Sequence, residues 1–173
     1  LETTGLSCRY DRIIEFGAVR IERGVEVGRL DILINPKIDI PKHITRITKI
    51  TNEMVKNQPT FNDVKDKIKN FLKDAILVTH NADFDISFLN EALVNHGDEA
   101  LNNPVIDTLS LSRNLFPTSR NHRLGTLCRL FEVKYDEDVA HRADYDAEVL
   151  NDVWQAMLAK LTKTNTKLKH LEL

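Results

Sequence analysis

The sequence predicts an α/β domain with a mixed sheet, and three observations carry that expectation. Two β-rich segments stand first, separated by a glycine turn. A short, continuous apolar run at residues 75–79 (AILVT) has the character of a buried parallel strand. Helical patterns fill the remainder, and the strongest comes last.

Taken in order, residues 12–21 (RIIEFGAVRI) are β-rich and lead to Gly24, a turn signal. A second strand is predicted over residues 25–34, stopping at Asn35-Pro36, so the two form a hairpin. Residues 36–59 are punctuated by Pro36, Pro41 and Pro59 and are expected to be irregular. Thr60 can cap a helix in which Val64, Ile68, Phe71 and Leu72 fall at helical spacing. The run at 75–79 then enters HNADFD and a helix carrying Phe84, Phe88, Leu89 and Leu93, ending near Gly97. Val105 and Ile106 make a short strand before Asp107-Thr108. Helical patterns follow at 108–115 and 123–131, separated by Pro117. The last helix begins near Arg142, and Ala143, Ala147, Leu150, Trp154, Met157 and Leu161 form one stripe at steps of three and four.

With 173 residues the chain suggests one domain, able to bury roughly 70% of its unfolded surface. No run of about 18 apolar residues offers a membrane span. Cys8 and Cys128 form no CxxC pair, which fits a reduced, cytoplasmic protein better than a disulfide scaffold. The net charge of -2 argues against a grip on nucleic acid by excess positive charge alone. A site that recruits cations can still meet phosphate.

Three acids stand in unusual settings: Glu2 in LETTGL, Asp85 in HNADFDISFL, and Asp146 in HRADYDAEVL, with His141 five residues before it. Phosphodiester hydrolysis needs such a set. Two divalent ions about 3.5–4 Å apart activate water and stabilise the leaving oxygen. These hard cations take oxygen ligands, so carboxylates must converge from separate elements. An imidazole with a pKa of about 6.5 can accept the water's proton. Each residue alone also has an ordinary explanation. Glu2 fits a solvated acid, Asp85 and Asp146 fit first-turn helix acids, and His141 fits a cap. His80 and Asn81 fit turn formers.

The three segments, in this order, resemble the three motifs of the DnaQ-like (DEDDh) 3′→5′ exonuclease family. IIEFGAV, ITNEMV, NPVIDTLSLSRNLFP and HRLGTLC add flanking matches, so the resemblance spans about residues 1–160. VIDTLSLSR, NHRLGTLC and HRADYDAE place it nearest the exonuclease domain of PolC-type bacterial DNA polymerase III, with the free proofreading subunit similar too. The resemblance implies an RNase H-like fold, with a mixed five-stranded sheet flanked by helices. It implies Mg²⁺ as two ions, Mn²⁺ as a substitute, DNA 3′ ends as substrate, and the rest of a DNA polymerase III as partner.

By position, Glu2 resembles the metal-bridging glutamate, Asp85 the ligand of the outer metal, and Asp146 the ligand of the nucleophile-activating metal. His141 resembles the general base. Arg142 stands where the sister class has tyrosine, which favours the histidine class. Thr3, Thr4 and Gly5 would present backbone N–H groups to the terminal nucleotide. Phe84 would support the site or the strand end, and His80 and Asn81 would orient the second motif or contact substrate.

The chain departs from the family's pattern in two places. The leading aspartate of the first motif would stand two residues before Glu2, and the strand that carries it is expected in the full protein. Lys49 replaces a frequent glycine. Lys42, His43, Arg46 and Lys49, and likewise Arg120, His122 and Arg123, form basic clusters that suit either phosphate or solvent. The expected domain is 1–161, followed by a polar tail or linker at 162–173. Two alternatives share these motifs: an RNA-trimming exonuclease, and a silent module that binds a nucleic-acid end or a polymerase.

Overall fold

The structure, a computed structural model of the protein, describes residues 1–163. Strands β1 (Glu2–Thr3), β2 (Ile13–Glu22) and β3 (Val25–Leu33) form an antiparallel ladder in the order β1-β2-β3. Arg23 and Gly24 link β2 to β3, with φ of 53° and 80°. A two-residue hairpin turn of the primed type needs positive φ at both positions. Strands β4 (Leu77–Thr79) and β5 (Val105–Asp107) pair in parallel.

Five strands are present in mixed directions, the first only two residues long, and they are hydrogen-bonded as two ladders. Among the described residues, β2 beyond Glu15 pairs only with β3, and β4 pairs only with β5. Between them the unpaired edges of β2 and β4 face each other and the last helix across a gap, the place that the strand expected before Glu2 would take.

Helix α3 (Phe61–Leu72) starts as expected at Thr60, whose N–H donates to the Asp63 carboxylate at 2.7 Å. Its Val64, Ile68 and Leu72 pack with Phe88, Leu89 and Leu93 of helix α4 (Ala82–Asn95) and with Ile13, Phe16 and Leu30 of the sheet. Lys65 and Lys69 of α3 both pair with Asp98, just past α4, and so tie the two helices together. Helices α5 (Thr108–Leu115) and α6 (Leu124–Phe131) match the expected segments.

Residues 36–59 depart from the expectation of irregular chain. Helices α1 (Lys42–Thr48) and α2 (Asn52–Val55) form there. Pro41 stands at the N-cap of α1, where its missing N–H costs nothing, and Lys49 closes the helix in the left-handed region at φ 63°. Tertiary packing stabilises these short helices: Ile40, Ile50 and Val55 are buried with Ile14 under β2, and Ile44 packs against them.

Helix α7 (Ala143–Lys163) has two apolar faces rather than one stripe. Val149, Val153 and Met157 are buried against Leu127 and Cys128 of α6. Of the expected stripe, Ala143, Met157 and Leu161 are buried and Trp154 packs beside the α6 contact, while Ala147 and Leu150 face the gap between the ladders. The tail expected at 162–173 begins within this helix, and residues 164–173 lie outside the described residues. Among the described residues no helix is long and apolar enough to cross a membrane.

Gly17 lets β2 dock directly on α7. A Cβ there would lie 2.2 Å from the carbonyl carbon of Ala143 and 2.3 Å from the nitrogen of Asp144. Gly17→Ala should therefore lower Tm by several degrees, since overpacking costs about 1–3 kcal/mol and each kcal/mol shifts Tm by roughly 2–4 °C at this size. A thermal melt with unchanged Tm would contradict the close approach.

Candidate active site

Three elements bring the acids together. Glu2 lies on β1, held against β2 with Glu2 opposite Glu15. Asp85 sits in the first turn of α4, after β4. Asp146 sits in the first turn of α7, and His141 precedes that helix with φ 64°. A left-handed histidine stores strain that its surroundings must hold, a feature common at functional sites.

Ligand atoms of Glu2, His141 and Asp146 all lie within 4.8 Å of one another. Asp85 is not in that trio. Its Oδ2 accepts from the Thr79 hydroxyl at 2.5 Å. Burial pushes the Glu2 carboxyl up to about 8, with the carboxylates of Asp146, Glu15 and Asp85 acting the same way. Burial also raises Asp146, although His141 opposes it. Asp146 Oδ1 is buried and has no hydrogen-bond partner.

These observations fit a site for a divalent cation. An orphaned, buried carboxylate oxygen costs free energy until a charge meets it. An oxygen-rich set with one imidazole suits a hard divalent ion. A second acidic group, Glu15, Asp31 and Asp144, also clusters within 4.8 Å. It already has its counter-charge: the Arg142 guanidinium lies 2.6 Å from Glu15 Oε1.

The first-motif loop is folded on itself. The Thr4 N–H donates to the carbonyl of Arg12 at 2.8 Å, so this donor is spent within the loop rather than offered to a nucleotide. The Thr4 hydroxyl donates to Asp11 and accepts from the Arg12 N–H, while the Thr3 hydroxyl donates to the Gly5 carbonyl. A Cβ on Gly5 would fall 2.4 Å from Asp11 Oδ2, so glycine is needed for the loop to close.

The second motif rests on a polar network. Both His80 ring nitrogens are engaged, Nδ1 with the Thr108 hydroxyl at 2.9 Å and Nε2 with the His122 carbonyl at 2.8 Å. Burial lowers the His80 pKa, and the ring, bonded at both nitrogens, acts as a strut. Asn81, at φ 77°, donates its N–H to Asp107, which also caps α5 through the Leu109 N–H. The Asn81 side chain faces solvent. Phe84 packs on Phe88 at 4.8 Å between ring centroids and lines the gap between the ladders, so both of its anticipated roles are compatible with its place.

Sequence reasoning gave no role to Glu15, Asp107 or Thr79. Glu15 carried a signal nonetheless: a lone carboxylate between Ile14 and Phe16 in an apolar run must be buried and paired. The raised Glu2 pKa has a testable sign. Its carboxyl keeps its proton more tightly in the fold than at the ordinary 4.5, so stability falls as pH rises from there to about 8. In EDTA, Glu2→Gln should flatten that part of the Tm–pH curve. Parallel curves for the two proteins would contradict the burial of Glu2.

A family profile described as exonuclease matches residues 1–153. The chain is 43% identical over 180 residues to the DNA polymerase III PolC-type of Ureaplasma parvum serovar 3, covering 98% of this chain and 12% of that relative. The chain thus spans about an eighth of such a relative's length. Exonuclease X in complex with 5′ overhanging duplex DNA superposes with a TM-score of 0.71 at 23% identity, covering 92% of this chain and 88% of that one. The nuclease domain of 3′hExo, a DEDDh family member bound to rAMP, gives a TM-score of 0.75 at 19% identity, over 87% and 82%. The structural likenesses establish an RNase H-like fold, and the profile match, over most of the chain, shows that it belongs to the exonuclease family.

Proposed function

We propose that this domain removes nucleoside 5′-monophosphates one at a time from DNA 3′ ends, as the proofreading part of a bacterial replicative DNA polymerase III. The observation that carries the catalytic part is the buried, partnerless Asp146 Oδ1 beside Glu2 and His141. The polymerase context is supported by relatives near 40% identity, all PolC-type polymerases some eight times longer. A frayed or mismatched primer end is the natural substrate, because the terminal nucleotide must reach the acids unpaired, and a mismatch costs least to open.

Glu2, Asp85 and Asp146 would hold two divalent ions, Mg²⁺ or in substitution Mn²⁺. When bound, these would supply Lewis acidity to the scissile phosphate and a more acidic water. His141, exposed at the rim, is placed to take the proton of the attacking water. Asn81 would reach the terminal nucleotide with its solvent-facing side chain. The Gly5 loop would pass its backbone close to that nucleotide, and Phe84 would back the site.

The test is degradation of a 5′-labelled DNA primer with a 3′ mismatch in Mg²⁺, Mn²⁺ or EDTA, using the polymerase-length protein that contains this domain. A ladder shortening by single nucleotides and abolished by EDTA is the expected result. His141→Ala should reduce the rate about 10²–10⁴-fold and remove the rise of rate with pH. Asp146→Asn should abolish shortening. An intact primer with either ion would overturn the proposal, and faster trimming of a matched RNA would redirect it to RNA.

A further inference from the structure

The buried carboxylate of Glu15 does more than neutralise an arginine. It is fully buried on β2, and its two oxygens are divided between two parts of the third motif. Oε1 accepts from Arg142 Nε at 2.8 Å and Nη2 at 2.6 Å. Oε2 accepts from the backbone N–H of Ala143 at 2.7 Å. That N–H opens α7 and has no partner within the helix. A carboxylate there also complements the helix dipole, and charge-assisted bonds of this length are the strong ones. The two residues it holds, Arg142 and Ala143, lie between His141 and Asp146.

Glu15 faces the other way as well. It is the ladder partner of Glu2, and directly opposed residues of an antiparallel pair project on one face. One side chain thus stands beside the first motif and grips the third. Two residues further along β2, Gly17 touches the backbone of Ala143 and Asp144. The strand therefore meets the start of α7 at two points, through the Glu15 carboxylate and through Gly17.

We propose that Glu15 is a positioning residue for the exonuclease reaction, fixing the separation of Glu2 from His141 and Asp146 by anchoring the start of α7 to the strand beside β1. The catalytic consequence rests on the cation-binding role proposed for Glu2 and Asp146. Arg142 completes the device by neutralising Glu15, which stands beside three other acids: Glu2, Asp31 and Asp144.

The test compares Glu15→Gln with Met157→Ala, a buried control on α7 that lowers stability away from the anchor. Two readouts are taken on each folded protein. The first is amide hydrogen exchange at Ala143. Glu15→Gln keeps an acceptor but loses its charge and turns an NH2 toward Arg142, so it should speed exchange on the order of tenfold, the difference between a charged and a neutral hydrogen bond, while Met157→Ala should not. The second is Mn²⁺ affinity by calorimetry. Glu15→Gln should weaken it by roughly 10–100-fold, the usual effect of losing a group that orients metal ligands, with KM for a DNA primer changed less than about twofold.

Unchanged protection at Ala143 overturns the anchor. A Mn²⁺ affinity in Glu15→Gln no weaker than in Met157→Ala overturns its positioning role. The exchange readout needs no cation, so a wild-type protein that binds no Mn²⁺ would sink the cation-dependent function while the anchor is decided separately.

Discussion

Negative charge brought together out of water is the constraint on which this fold turns. Glu2, Asp85, Asp146 and Glu15 converge where β1, β2, α4 and α7 meet. Like charges so placed repel and are poorly hydrated, so each needs a partner or must hold its proton. Glu15 has Arg142 and the start of α7. One oxygen of Asp85 has the Thr79 hydroxyl. Burial keeps Glu2 and Asp146 raised, and one oxygen of Asp146 has no partner. The protein satisfies Glu15 internally and leaves the acids of the three motifs to be satisfied from outside.

The same division runs through the second motif. His80, Thr108 and Asp107 are consumed in bonds that fix the loop between β4 and α4. Asn81 keeps its side chain in solvent. Rigid bonds hold the frame, and the groups left unbonded face the cleft. Preorganisation of this kind lets a site stabilise a transition state without reorganising during the reaction.

The sequence disclosed most of the elements because their patterns are local. β-rich composition located β2 and β3, helical spacing located α3, α4 and α7, and Gly24 marked the hairpin. Motif order located Glu2, Asp85, His141 and Asp146, although the trio that meets directly leaves out Asp85. What stayed hidden depends on distant partners. Helix α1 is rich in isoleucine and threonine, weak helix formers, and is held by Ile14 and Ile50 packing nearby. The two faces of α7 both fit helical spacing, and only tertiary packing says which one meets α6 and which the gap between the ladders. The partners of Glu15 lie 127 and 128 residues along the chain, beyond the reach of any local pattern.

The central claim is that Glu2 and Asp146 form a cation site, whereas the neighbouring group of Glu15, Asp31 and Asp144 already has Arg142 as its counter-charge. Anomalous diffraction from crystals soaked in Mn²⁺ tests it most directly. The account predicts a peak about 2.0–2.3 Å from Asp146 Oδ1 and in contact with Glu2, at distances usual for hard cations on carboxylate oxygen. A peak seated instead among Glu15, Asp31 and Asp144, or none at either group, would contradict it.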